Sequence, residues 1–299
     1  MRKHPILLGL LLLFAIGTIL YILIFGVSLF GDNTFFFSPK GEKIGVVCVK
    51  GIITDSKTSV EQINKYLDDP RIKAIIVRID SPGGGVAASQ EIYEAILAAK
   101  TKKKVVASLG SVAASGGYYV ACGADKIVAN PGTLTGSIGV IMHFTNVQDT
   151  MKKLGLRAAS IKSGKYKDIG SPFREMTSDE ESLIKNVIDD IYDQFVETVS
   201  VNRKISKDKL KDYTDGRIFT GRQALRMGLV DSLGDMDSAA KVAAKLSGIE
   251  GKPELIYPKE KGFNAWKYLV EETKSAIVGE LNKEFNGAYF ISRQLQVEY

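Results

Sequence analysis

The chain has 299 residues, 45% of them apolar and 25% charged, with a formal net charge of +6 and only two cysteines and two histidines. This is ordinary globular material for one large domain or two small ones. The excess charge is spread thinly, and its one dense run (Lys100, Lys102, Lys103 and Lys104) lacks the basic face of a nucleic-acid footprint, so no nucleic-acid partner is expected.

In chain order, Arg2 and Lys3 precede residues 6–30, a stretch without a charge. At about 1.5 Å per residue it is long enough to cross a hydrocarbon core of about 30 Å. The positive-inside bias leaves the start of the chain in the cytoplasm and the rest outside. Residues 1–30 are therefore expected to anchor the protein in the cell membrane, with an extracytoplasmic domain behind them. A cleavable secretory signal starts alike, and Gly26-Val27-Ser28 is a weak cleavage site, but such a signal has an apolar core of only about 7–15 residues. Residues 31–42 read as a linker, 43–255 as the main domain, and 256–299 as a last helix (263–281) and tail.

Beyond the linker, apolar strands at 44–49, 72–79 and 105–109 alternate with helices at 59–67, 86–99 and 115–121. Further short strands are expected at 127–129 and 138–142. Strands without polar alternation, separated by helices, predict an α/β fold with a parallel sheet covered on both faces. Thr177 and Glu180 have capping-box spacing, and Leu183, Ile184, Val187, Ile188, Ile191, Phe195 and Val199 form one stripe, a core or subunit contact. Residues 210–231 suggest tight turns around one more helix. Cys48 and Cys122 lie in apolar surroundings and read as buried free thiols. With no close ligand spacing they argue against structural zinc, and no metal or cofactor is expected.

Three Gly-Ser segments carry the chemistry. Asp80-Ser81-Pro82-Gly83-Gly84-Gly85 follows a buried strand, and its consecutive glycines let backbone N–H groups turn toward a ligand. It lacks the lysine and spacing of a phosphate loop, while an oxyanion hole suits it. Ser115 follows a second strand in Ala113-Ala114-Ser115-Gly116-Gly117; as a lone signal, such a serine is more often a helix N-cap. Thr135-Gly136-Ser137 is a third turn. A Ser-His-Asp triad would have to use His143, inside an apolar run, so lysine is the better partner for Ser115. Lys162, Lys165 and Lys167 lie together downstream.

This ordered set, with Tyr166-Lys167-Asp168-Ile169-Gly170-Ser171-Pro172 and Gly216-Arg217-Ile218-Phe219-Thr220-Gly221, closely resembles the signal peptide peptidase A family in its short, single-copy form. The resemblance covers about residues 43–250. It implies the fold shared by the Clp protease and crotonases, a spiral of β-β-α units. It implies a serine endopeptidase that degrades cleaved signal peptides and other membrane-released peptides. By the same resemblance Ser115 is the nucleophile, Lys167 the general base and Ser137 the residue that orients it. Gly83 is the oxyanion donor, with Gly116 beside it. A ring-shaped homo-oligomer, an octamer in short members, is implied too. The rivals are a crotonase-like acyl-thioester enzyme, which leaves Ser115 and Lys167 unexplained, and a non-enzymatic scaffold on the same fold.

Overall fold

The computed structural model describes residues 12–19, 21–22 and 42–258. The chain divides into two units, Met1–Gly41 and Glu42–Tyr299. In the first, residues 12–19 and 21–22 are helical, and most of the expected anchor lies outside the described residues. Among the described residues no helix is long and apolar enough to cross a membrane. The expected last helix, 263–281, also lies outside them.

The second unit is built on an eight-stranded sheet. Strands β1 (Lys43–Lys50), β2 (Ile72–Ser81) and β3 (Lys104–Ala114) run parallel at its centre. Their β-branched residues are buried on both faces, which is why the runs carry no polar alternation. Ile75, Val77, Ile79 and Leu109 pack against helices α1 (Lys57–Asp68), α2 (Val86–Lys100) and α3 (Gly116–Cys122). After α4 (Gln148–Lys153), the long α5 (Ser178–Arg203) joins the same layer through Phe195, Val196 and Val199. On the opposite face Ile44, Ile76 and Val106 meet the alanines of a helix at Met236–Ser247. The sheet is covered on both faces, as expected.

One distortion of β3 places the site. Its register against β2 runs from Ile79↔Leu109 to Ser81↔Ala113, so β3 bulges by two residues. The Asp80 carboxylate accepts the N–H of Val112 at 3.1 Å, and Thr133 donates its hydroxyl to the Gly110 carbonyl at 2.7 Å. Before the bulge β3 pairs with β4 (Lys126–Ala129), and after it with β5 (Leu134–Gly136). Beyond β5 come α6 (Lys207–Leu210), β6 (Ile218–Thr220) antiparallel to β5, and α7 (Gly221–Met227). Strand β7 (Ser232–Leu233) extends β4, α8 is the alanine-faced helix at Met236–Ser247, and β8 (Glu254–Ile256) lies along β1.

The strand expected at 138–142 is not formed. The paired strand is β5, four residues earlier, because Gly136 (φ 80°) and Ser137 (φ 49°) turn the chain off the sheet. Ile138 is still fully buried, and its carbonyl accepts the N–H of Gly216 at 3.1 Å. The capping box at the start of α5 is present: Thr177 donates its N–H to Glu180 Oε2 at 2.9 Å and accepts the N–H of Glu180 at 3.3 Å. Only the C-terminal half of the stripe reaches the core; Leu183 and Val187 are exposed. Cys48 and Cys122 are both free thiols. Cys122 is buried, and that burial raises its thiol to about 12.

Candidate active site

Ser115 stands at the junction of β3 and α3 with φ 51° and ψ −122°. A positive φ is uncommon for a side-chain-bearing residue and costs on the order of 1–3 kcal/mol. The conformation is held from both sides, since Ser115 donates its N–H to the Gly136 carbonyl at 2.8 Å and its own carbonyl accepts from Tyr119 at 2.9 Å. Its side chain makes no capping hydrogen bond to α3. The N-cap explanation of this serine therefore fails. A hydroxyl raised on a strained strand-to-helix turn is the geometry of a nucleophile.

The glycine run of 83–85 lies directly against it. A Cβ on Gly83, whose φ is 109°, would sit 2.8 Å from the Gly116 nitrogen and 2.9 Å from the Ser115 Cβ, so only glycine permits this approach. The loop is pinned from behind: Ile53 donates to the Gly83 carbonyl at 2.9 Å and accepts from Gly85 at 2.7 Å. Gly83, expected as an oxyanion donor, has its N–H directed to Ser81 Oγ at 3.1 Å. Its neighbour Gly84 lies with its nitrogen 3.4 Å from the position of a Cβ on Gly116. Neither the Gly84 nor the Gly116 N–H has an acceptor among the described residues. Two free N–H groups close to one another beside a serine hydroxyl can hold an oxyanion.

A cavity of about 60 Å³ opens here, lined by Ser115, Gly84, Gly116, Val86, Val140 and Ile141. Tyr119 and Phe195 line it as well, their rings meeting edge to face at 5.1 Å. Ser137 lies next to Gly136, the residue that accepts from Ser115, and its N–H goes to the Arg217 carbonyl at 2.8 Å. His143 is exposed and does not line the cavity.

The lysines sit elsewhere. Lys162 pairs with Asp168. Lys165 pairs with Asp179 at 2.5 Å, and that hydrogen bond raises its pKa, the wrong direction for a base. Lys167 is exposed and forms no ion pair among the described residues. It does not line the cavity, so the structure does not bring Ser115 and Lys167 together within one chain. The lysine turn is fastened through Arg174 to Glu180, on the first turn of α5. Ile191 and Phe195 of the same helix line the serine cavity. From residue 180 to 191 the helix rises about 16 Å.

Residues 98–250 match Peptidase family S49, and residues 43–135 match the Clp protease family. The chain is 46% identical over 210 residues to a protein of Synechocystis sp. named as a protease, covering 70% of this chain and 76% of that one. It is 34% identical over 231 residues to a protein of Enterococcus faecium named as signal peptide peptidase SppA, covering 72% and 67%. This chain belongs to peptidase family S49. Its kinship lies with the signal peptide peptidase A group, and it is a serine peptidase by family. A solved 1510-N membrane-bound stomatin-specific protease, in a serine-to-alanine mutant form, shares the fold with a TM-score of 0.50 at 20% identity, covering 74% of this chain and 99% of that one.

Within this S49 fold, sequence reasoning missed Gly84 as a free donor, although it lay inside the glycine run already singled out. It also missed Arg174 and the Tyr119–Phe195 pair. Phe195 was visible as part of the α5 stripe, but nothing in the sequence aims it at Ser115.

Proposed function

We propose that this chain is a membrane-anchored serine endopeptidase that hydrolyses cleaved signal peptides and other membrane-released peptides. Residues 6–30 are the anchor, and the catalytic domain is extracytoplasmic. The observation that carries the reading is the strained, uncapped Ser115 beside the free N–H groups of Gly84 and Gly116. Ser115 Oγ attacks the scissile carbonyl while the amine of Lys167 takes its proton, the lysine version of the triad logic. The Gly84 and Gly116 N–H groups hold the resulting oxyanion, with Gly83 giving the room for that approach. Lys167 returns the proton to the leaving amine. Water then attacks the acyl-enzyme with Lys167 again as base, restoring the serine. Ser137, beside the nucleophile, orients the lysine.

The lysine comes from a neighbouring copy in a ring-shaped homo-oligomer, an octamer. The separation of the lysine turn from the serine cavity along α5 supports this. So does the apolar N-terminal half of that helix, where Leu183 and Val187 are exposed and Ile184 and Ile188 line an open groove of about 840 Å³ with Met142 and Phe144. The small cavity with its aliphatic and aromatic lining suits apolar substrate side chains. Incubation with synthetic signal peptides, read by mass spectrometry, tests the activity. Failure of the full-length protein to cut any of them or to react with a serine-directed acylating probe overturns the proposal.

A further inference from the structure

Lys167 sits between two attachments to the start of α5. Two residues earlier, Lys165 pairs with Asp179. One residue later, Asp168 is gripped by Arg174, whose Nε donates to Oδ2 at 3.0 Å. Arg174 Nη2 donates to Asp168 Oδ1 at 2.8 Å and to the Asp168 backbone carbonyl at 3.1 Å. The same guanidinium reaches both oxygens of Glu180, from Nη1 at 2.8 Å and from Nη2 at 2.5 Å. Glu180 is only 2% exposed and closes the capping box with Thr177. Lys162 supplies a second cation to Asp168.

The two attachments are unequal. An exposed lysine–carboxylate pair such as Lys165–Asp179 contributes little and fixes no angle. A guanidinium that forks onto two carboxylates sets direction as well as distance. By holding the carboxylate and the carbonyl of Asp168 together, Arg174 fixes the residue that follows Lys167, while Lys167 itself donates its N–H to the Gly164 carbonyl at 3.2 Å. Both bonds narrow where the Lys167 side chain can place its amine. Arg174 does not line the Ser115 cavity of its own chain, so a substrate-binding role there does not account for it.

We infer that Arg174 is a positioning residue for the catalytic base, clamping the turn after Lys167 onto the buried Glu180 in the first turn of α5. The inference rests on the proposed role of Lys167.

The test uses the full chain in detergent with a peptide substrate. Arg174→Ala should lower kcat by about 10²-fold, the loss expected when a reacting group is misplaced by about an ångström, with KM near the parent value. Added guanidinium ion should restore part of that rate to Arg174→Ala and none to Lys167→Ala. Arg174→Lys, which keeps the charge and loses the fork, should stay slow. Where Arg174→Ala does not fold, Asp168→Asn removes the carboxylate charge with little change of shape and should show the same fall in kcat. A folded Arg174→Ala or Asp168→Asn with kcat within about twofold of the parent, or a defect confined to KM, overturns the inference. A dead Lys167→Ala beside a fully active Arg174→Ala overturns the clamp alone. A fully active Lys167→Ala overturns the base assignment, and the clamp with it.

Discussion

Ser115 donates its backbone N–H to the carbonyl of Gly136 at 2.8 Å, and this bond ties its turn to the turn that carries Ser137. Both serines have positive φ, 51° and 49°, so two costly backbone conformations stabilise one another across the end of the sheet. The bulge in β3 makes this contact available by moving the strand from β4 to β5. The position of Ser115 is thus set by backbone packing within the chain.

Removing the Ser115 hydroxyl should abolish acylation without unfolding the protein. Ser115→Ala and Ser115→Gly should both be inactive toward a serine-directed probe. They should differ in stability, because glycine accepts φ 51° freely and alanine does not. Relief of strain exceeds the entropy that glycine adds to the unfolded chain, so Ser115→Gly should be the more stable of the two by about 1 kcal/mol in urea denaturation.

Gly83→Ala should disable the proposed oxyanion site by displacing Gly116 and Ser115 together. The added methyl would lie 2.8 Å from the Gly116 nitrogen and 2.9 Å from the Ser115 Cβ, and must push the two loops apart. A loss of about 10²–10³ in kcat is expected, the scale seen when an oxyanion donor is removed. Steady-state kinetics alongside a thermal melt checks this, and parent-like kcat would show that the close approach is not needed.

Much of this site could be read from the chain because its demands are local. Gly83–Gly85 and the Ser115 turn need particular residues at particular positions, and those residues stand next to one another in sequence. The paired strand was misplaced to 138–142 because apolar content outweighed the positive φ of Gly136 and Ser137, and φ is not visible in a composition. Helix α8 was not read from the chain although Ala239, Ala240, Ala243 and Ala244 recur at helical spacing, because alanines bury little area each and do not stand out as the leucines and isoleucines of α5 do. The Arg174 fork is a tertiary contact with no periodicity at all.

Asp231 anchors the end of α5 and should make stability depend on pH. Its carboxylate accepts from Arg203 at 2.9 Å and from the Ile127 N–H at 2.8 Å. Burial alone would raise its pKa, but the Arg203 bond and the Ile127 N–H outweigh burial and lower it. A group with a depressed folded pKa contributes stability above its unfolded value, about 3.9 for Asp, and loses it as pH falls through the folded value. Asp231→Asn should therefore cost about 1–2 kcal/mol at pH 7, the scale of a charge-assisted hydrogen bond in a half-buried pair, and distinctly less near pH 3. Equal losses at both pH values would contradict this account.

The lysine assignment separates two residues only two positions apart. Lys165 is held by Asp179, while Lys167 has no carboxylate partner among the described residues. Lys165→Ala should keep most of the activity and Lys167→Ala should lose it. Since a lysine base works as its neutral amine, kcat/KM of the parent should climb as pH rises. A pH profile for each variant decides the matter, and an inactive Lys165→Ala with an active Lys167→Ala would reverse the assignment.

Assembly gives the most demanding test. The Ser115 cavity has no lysine of its own chain in its lining, and the lysine turn is fastened to the far end of α5. In a head-to-tail ring each serine would meet the lysine of the next subunit. Ser115→Ala and Lys167→Ala subunits are each inactive alone, but mixed in equal amounts they would form about a quarter of junctions with both groups intact. Activity should then reappear on mixing under conditions of subunit exchange, tracked by native mass spectrometry of differently tagged chains. Proven exchange with no return of activity would mean that one chain builds the whole site, with the lysine turn swinging to its own Ser115.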